Sequence, residues 1–363
     1  MRSLKFGKIL GISLELHSTF ILFILLLALI VAIFDSANLI PTMLLVFLLF
    51  LSVFIHELVH SVVAVLKGIK VERIILLPIG GIAMTEEMPE KPWDEFIIAV
   101  AGPAFNFAVA FLILLLWFLL PGIPMPSASV IAAGLGKAIM NYPLFAFLYI
   151  NLVLGAFNLF LPALPLDGGR VFRALLAFKF GFARATAIIA KASVFIAIFL
   201  FLIGMLIGDI ILPVIAIFIY FGAGQENEMA MLKFALRGIK VKSVMLRNPA
   251  MANANTTLEK LFMRMQKTNM TEFLVALPKG YSCINAEMLS KIPKSAWRRT
   301  QIKKIAVKAA PIGAEAEITS LLVKILGKEY SMLPVMRGGK LIGALQLGEI
   351  NRRYQLEKIH RAK

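Results

Sequence analysis

The chain has 363 residues, 60% hydrophobic and only 16% charged, with a mean hydropathy of +0.85. Soluble globular domains carry about 45–50% apolar and about 25% charged residues. A disordered chain, a fibrous chain and an ordinary cytosolic enzyme are therefore excluded, and a polytopic membrane protein is indicated. The net charge of +17 is uneven: residues 225–363 hold 25 Lys+Arg against 10 Asp+Glu, and residues 1–224 hold 13 against 11. A basic tail beside a membrane suits anionic headgroups; no nucleic-acid motif is visible, so that partner is not expected.

In chain order, Met1 to Leu16 lacks the apolar core and cleavage site of a signal peptide, so the first apolar run should remain as an anchor. Spanning a bilayer core takes about 20 apolar residues. Candidate spans lie at 18–34, 41–66, 95–120, 143–163, 187–207 and 210–224. Only Gly208 and Asp209 separate the last two, which form either two spans in a tight hairpin or a re-entrant element. Basic residues set orientation. Arg2, Lys5, Lys8, Lys67, Lys70, Arg73, Lys91, Arg170, Arg173, Lys179, Arg184 and Lys191 fall on one side and only Lys137 on the other. The N-terminus is therefore expected in the cytosol and, with six spans, the tail as well. Lys70 to Met84, KVERIILLPIGGIAM, reads as a short membrane-associated β-hairpin broken at Pro78, Gly80 and Gly81.

The second span contains His56-Glu57-Leu58-Val59-His60. Positions i and i+4 share one helix face, so two imidazoles can grip one Zn²⁺ and the adjacent glutamate can serve as general base. Ionisable groups are expensive within a span, and three polar groups in five residues need a reason. A catalytic zinc site wants a third protein ligand and one open position. His17 and His360 are isolated, so a carboxylate must complete the set. Asp167 lies in NLFLPALPLDGGR (158–170), where prolines and glycines break the helix and can bend a carboxylate inward. For His17 three readings compete: an interfacial polar residue, a neighbour or gate of the site, and an alternative ligand. His360 reads as solvated.

HELVH in a membrane helix, followed about a hundred residues later by NLFLPALPLDGGR, resembles the site-2 protease family of intramembrane zinc metalloproteases. The resemblance covers most of residues 1–224. It implies zinc as cofactor, His56, His60 and Asp167 as ligands, Glu57 as catalytic base and Asn158 as a stabiliser of the oxyanion. Gly102, Pro103 and Asn106 in AGPAFNF match a third motif tied to substrate handling; an interhelical hydrogen bond is the competing reading for Asn106.

The tail, 225–363, shows two weakly similar halves over 241–352. A helix from Ala316, a Leu333-Pro334-Val335 strand and a Gly339–Gly343 hairpin resemble a CBS domain; Val241–Met245 and Thr257–Phe262 match less well. The resemblance implies an α+β tandem that binds an adenine nucleotide or pairs two copies in a homodimer. The positions of the usual ribose-binding pattern hold Asn285 and Met288 in the first half and Gln346 and Glu349 in the second. Cys283 is the single cysteine, so no intrachain disulfide can form.

The expected architecture is thus a polytopic α-helical membrane domain (1–224) followed by a soluble α+β CBS-like regulatory tandem (225–363). The expected function is an intramembrane zinc endopeptidase that cleaves transmembrane segments of membrane proteins in regulated intramembrane proteolysis. The expected location is a prokaryotic plasma membrane. A channel or transporter with a CBS-type tail accounts for the spans and tail but not for HExxH with DGG. A non-catalytic binder leaves Glu57 unexplained.

Overall fold

The computed structural model describes residues 3–78, 80–85, 91–120, 122–278, 280–322 and 332–361. Arg2, Lys363 and the run 323–331 lie outside them, as does the side chain of His360. The chain divides into two compact units, Met1–Ala230 and Met231–Lys363.

In the first unit, β1 (Ser3–Ile9) and β2 (Ile12–His17) form an antiparallel hairpin. Its two-residue turn is Leu10-Gly11, with φ of 49° and 86°; positive φ at both turn positions matches the right-handed twist of the strands. α1 (Ser18–Phe34) and α2 (Leu39–Leu66) carry the chain across to β3 (Val71–Leu77), which pairs parallel with β2. β4 (Gly80–Thr85) returns antiparallel to β3. The expected hairpin is therefore half of a four-stranded sheet, ordered β1-β2-β3-β4. Alternation in the N-terminal segment is too weak in sequence to reveal the other half. Ile12, Leu14, Val71 and Ile74 bury against Ala64 and Ile98, which fixes the sheet against α2 and the next helix.

α3 (Pro92–Leu119) packs against α2 and against two helices that follow it. The short α4 (Ala128–Ala133) and α5 (Leu135–Asn141) lead to α6 (Pro143–Phe160). An irregular segment then enters α7 (Asp167–Phe180), α8 (Phe182–Ile207) and α9 (Ile211–Leu236). Among the described residues four helical segments are long and apolar enough to cross a membrane: Ser36–Leu66, Pro92–Leu119, Pro143–Phe160 and Phe182–Ile207. Their outer faces are apolar and exposed, with Phe118 82% and Leu206 85% accessible, as lipid-facing surfaces are. Two of the six expected spans fall outside this set. α1 has 17 residues, a length of about 26 Å against a hydrocarbon core of about 30 Å. α9 turns polar at Gln225-Glu226-Asn227-Glu228.

The second unit repeats one plan. Val241–Ser243 and Ile302–Lys304 are one-turn 3-10 helices at matching places. After the first come β5 (Met251–Asn253), α10 (Leu258–Thr268), β6 (Glu272–Leu277) and β7 (Gly280–Asn285). Then follow α11 (Ala286–Ser290) and, past the second 3-10 turn, β8 (Val307–Ala309), β9 (Ile312–Gly313), β10 (Met332–Arg337), β11 (Lys340–Gln346) and α12 (Leu347–Arg361). The sheets run β5-β6-β7-β8 and β11-β10-β9. In each, a short strand pairs parallel with the first strand of a hairpin: β5 with β6, β9 with β10. The second half thus begins at Ile302, with the Ala316–Leu322 segment inside it. The helix expected from Ala316 is described only as the 3-10 turn Thr319–Leu321.

Candidate metal centre

His56 and His60 project from one face of α2 and are 4% and 6% exposed. Asp167, 7% exposed, arrives as the first residue of α7. A helix N-terminus favours a carboxylate. The two glycines after it are required by packing. A Cβ on Gly168 would lie 2.3 Å from the Leu161 carbonyl oxygen, and one on Gly169 would lie 2.4 Å from the Leu164 nitrogen. The expected helix break after α6 is present, and the carboxylate opens a new helix beyond it. One and a half turns on, Arg173 anchors α7. Its Nε and Nη2 donate to buried Glu95 of α3 and its Nη1 to Glu226 of α9.

The ring nitrogens are oriented by their neighbours. His60 Nδ1 donates to the Ile98 carbonyl at 2.6 Å, and His56 Nδ1 donates to Asn106 Oδ1 at 2.5 Å. Both acceptors are oxygens without hydrogen, so each Nδ1 carries a proton, and in the neutral rings each Nε2 carries a lone pair. These two atoms are 3.0 Å apart, and Asp167 Oδ2 stands 3.0 Å from one and 3.1 Å from the other. Three lone pairs converging at this range repel one another unless a cation lies among them. Two imidazoles and one carboxylate are a donor set that suits zinc, with three protein ligands and an open position. The close approach of α3 depends on Gly102: a Cβ there would lie 2.3 Å from His60 Nε2 and 2.8 Å from His56 Cε1.

Glu57 is next to His56 on α2, and the backbone of β4 runs against it; a Cβ on Gly81 would lie 2.5 Å from Glu57 Cγ. Asn106 is fully buried and joins His56 to Asn151 of α6. Asn158 is turned into its own helix, donating from Nδ2 to the Leu154 carbonyl at 3.0 Å. His17 is the N-cap of α1, accepting at Nδ1 from Thr19 N. The structure therefore brings His56, His60, Asp167 and Asn106 together, whereas Asn158 and His17 make local contacts. Sequence reasoning missed Ser52 and Asn151 and took Gly81 only as a break in the hairpin; an amide within the apolar run LYINLVLG was the available signal for Asn151.

Residues 44–200 match peptidase family M50. Zinc metalloprotease MJ0392 of Methanocaldococcus jannaschii is 34% identical over 352 residues, covering 96% of this chain and 95% of that protein. Among solved structures, a site-2 protease from Methanocaldococcus jannaschii shares 38% identity, covers 62% of this chain and 95% of its own, and has a TM-score of 0.47. The CBS domain of a bacterial CNNM/CorC family Mg²⁺ transporter aligns with 36% of this chain and 83% of its own at 17% identity and a TM-score of 0.32. The 34% identity to the archaeal relative over nearly the full length of both chains, together with the buried His-His-Asp cluster, makes the chain a member of peptidase family M50, the site-2 protease family of zinc metalloproteases.

Proposed function

We propose that the protein is an intramembrane zinc endopeptidase that cuts transmembrane segments of other membrane proteins. The observation that carries this reading is the convergence of three metal-ligating atoms, His56 Nε2, His60 Nε2 and Asp167 Oδ2, within 3.1 Å inside an apolar bundle. A zinc ion held there supplies Lewis acidity, polarising the scissile carbonyl and making a water acidic enough to attack at neutral pH. Glu57 takes that water's proton and delivers it to the leaving amine. Asn158 acts on the oxyanion by giving up its Leu154 contact when substrate is bound. Asn106 is assigned to holding His56 rather than to binding substrate, because both ends of its amide are already engaged.

A helical substrate hides its carbonyls and must unwind before it is cut. β4 is an edge strand of its sheet and passes Glu57 at Gly81. An unwound segment added along that edge by β-augmentation would lie beside the general base. The basic-residue asymmetry supports six spans, with the N-terminus and tail in the cytosol of a prokaryotic cell. With α2 entered from outside at Pro41, His56 lies about 22 Å along it. The cut then falls in the cytosolic half of the substrate span.

Residues 231–363 serve as a CBS-type regulatory tandem on the strength of their repeated strand plan. A cavity of about 610 Å³ between Tyr281, Lys308, Ile312 and Met336 is of ligand size. None of the four ribose-pattern positions lines it. Asn285 caps α11, and Gln346 donates to Glu272. Those engagements favour a dimerising role over a nucleotide sensor, and calorimetry with ATP or AMP separates the two.

The protease reading is tested by metal analysis and cleavage of a single-span substrate in detergent, comparing wild type with Glu57→Gln. The variant should keep its zinc and lose cleavage. Turnover at the wild-type rate would refute the mechanism.

A further inference from the structure

We infer that Asn151, backed by Ser52, sets the tautomer of His56 through a hydrogen-bond relay of fixed polarity. Ser52, Asn106 and Asn151 are each at most 1% exposed, on three apolar helices, where each polar group must find its partner within the protein. The amide ends of an asparagine are ordinarily assigned only from the surrounding network. Here two main-chain carbonyls force the assignment. The Leu48 carbonyl can only accept, so the Ser52 hydroxyl donates to it at 2.9 Å. The Ser52 oxygen is left to accept, and Asn151 Nδ2 donates to it at 3.1 Å. The same nitrogen donates to the Phe147 carbonyl at 2.9 Å. With its nitrogen pinned twice, Asn151 turns Oδ1 toward Asn106, which must answer with Nδ2 at 2.8 Å. Asn106 therefore presents Oδ1 to His56, and His56 Nδ1 must carry the proton.

Without Asn151 the Asn106 amide is free to turn over. Its NH₂ end would then face His56 Nδ1 and move the ring proton to Nε2, between His60 and Asp167, where it would exclude a cation. Asn151 is therefore a positioning residue two hydrogen bonds removed from the ring. The consequence for metal binding rests on the proposed ligand role of His56, but the tautomer does not.

The test is ¹⁵N NMR of metal-free protein labelled at histidine, in detergent, paired with zinc affinity from chelator competition. Wild type should show His56 with Nδ1 protonated in every state, leaving Nε2 as the nitrogen that exchanges a proton for zinc. Asn151→Leu should mix the tautomers and weaken zinc by about 10- to 100-fold, the range for lost partners of metal ligands. Asn151→Asp, buried and hence neutral, keeps an acceptor toward Asn106 and a donor toward Phe147, and should restore the wild-type tautomer. A merely structural role would not give that rescue. Asn151→Ala, which removes the same amide without the added bulk, should shift the tautomer in the same direction, and it carries the test if the leucine variant fails to fold. An unchanged His56 tautomer in whichever of these two folds overturns the relay. Wild-type protein with the stated tautomer but no zinc binding would refute the metal reading while supporting the relay.

Discussion

Gly102→Ala tests the geometry of the metal centre most directly. The new Cβ would stand 2.3 Å from His60 Nε2, 2.7 Å from His60 Cε1 and 2.8 Å from His56 Cε1. Neither ring can yield freely, because His60 is tied to the Ile98 carbonyl and His56 to Asn106. Overpacking of this kind costs about 1–3 kcal/mol, and one broken hydrogen bond adds about 1 kcal/mol. The sum of about 2–4 kcal/mol corresponds to roughly 30- to 700-fold in a dissociation constant. Alanine also gains about 1 kcal/mol of helix propensity over glycine, but that term acts on folding and leaves the ligand positions unaided. Zinc affinity should therefore fall by that factor in chelator competition. Gly136→Ala, with no atom within 4 Å of the added carbon, should be neutral. Zinc affinity for Gly102→Ala within threefold of wild type would refute the packing of α3 against the two imidazoles.

Asp167→Ala should lose zinc on dialysis, because two histidines leave half the coordination shell unfilled; full zinc content by mass spectrometry would point to another third ligand. Gly81→Ala should retain zinc and lower kcat, because its Cβ would stand 2.5 Å from Glu57 Cγ and displace the general base; an unchanged kcat would separate β4 from the chemistry. In the tail, side-chain hydrogen bonds from Lys242 and Lys240 hold the Glu315 carboxyl down at about 2. A lowered folded-state value means that this contribution to stability is complete above about pH 4.5, the ordinary value, and fades as the pH falls toward 2. Hydrogen-exchange protection factors around 240–246, taken relative to the intrinsic rate at each pH, should fall over that window, and Glu315→Gln should remove the dependence.

HExxH placed two imidazoles on one face of an apolar helix because the 3.6-residue period is a local property, and Pro162 and Pro165 announced the break before Asp167 because a missing backbone N–H is local as well. The lengths of the apolar runs likewise foretold the four long helices. What the sequence by itself could not determine is what lies across from each of these. Gly102 and Asn106 share a face of α3 whatever the fold, but only the packing of α3 on α2 aligns one with the rings and the other with His56 Nδ1. β1 and β2 join β3 over a parallel crossover of some fifty residues, and no local pattern encodes that pairing. Asn158 falls within a recognisable motif, yet its hydrogen bond stays on its own helix. Asn151 belongs to no motif and lies one hydrogen bond from Asn106. Periodicity and turn chemistry are read along the chain, whereas ligand geometry, amide orientation and the edge of a sheet are relations between segments, and they exist only once those segments have packed.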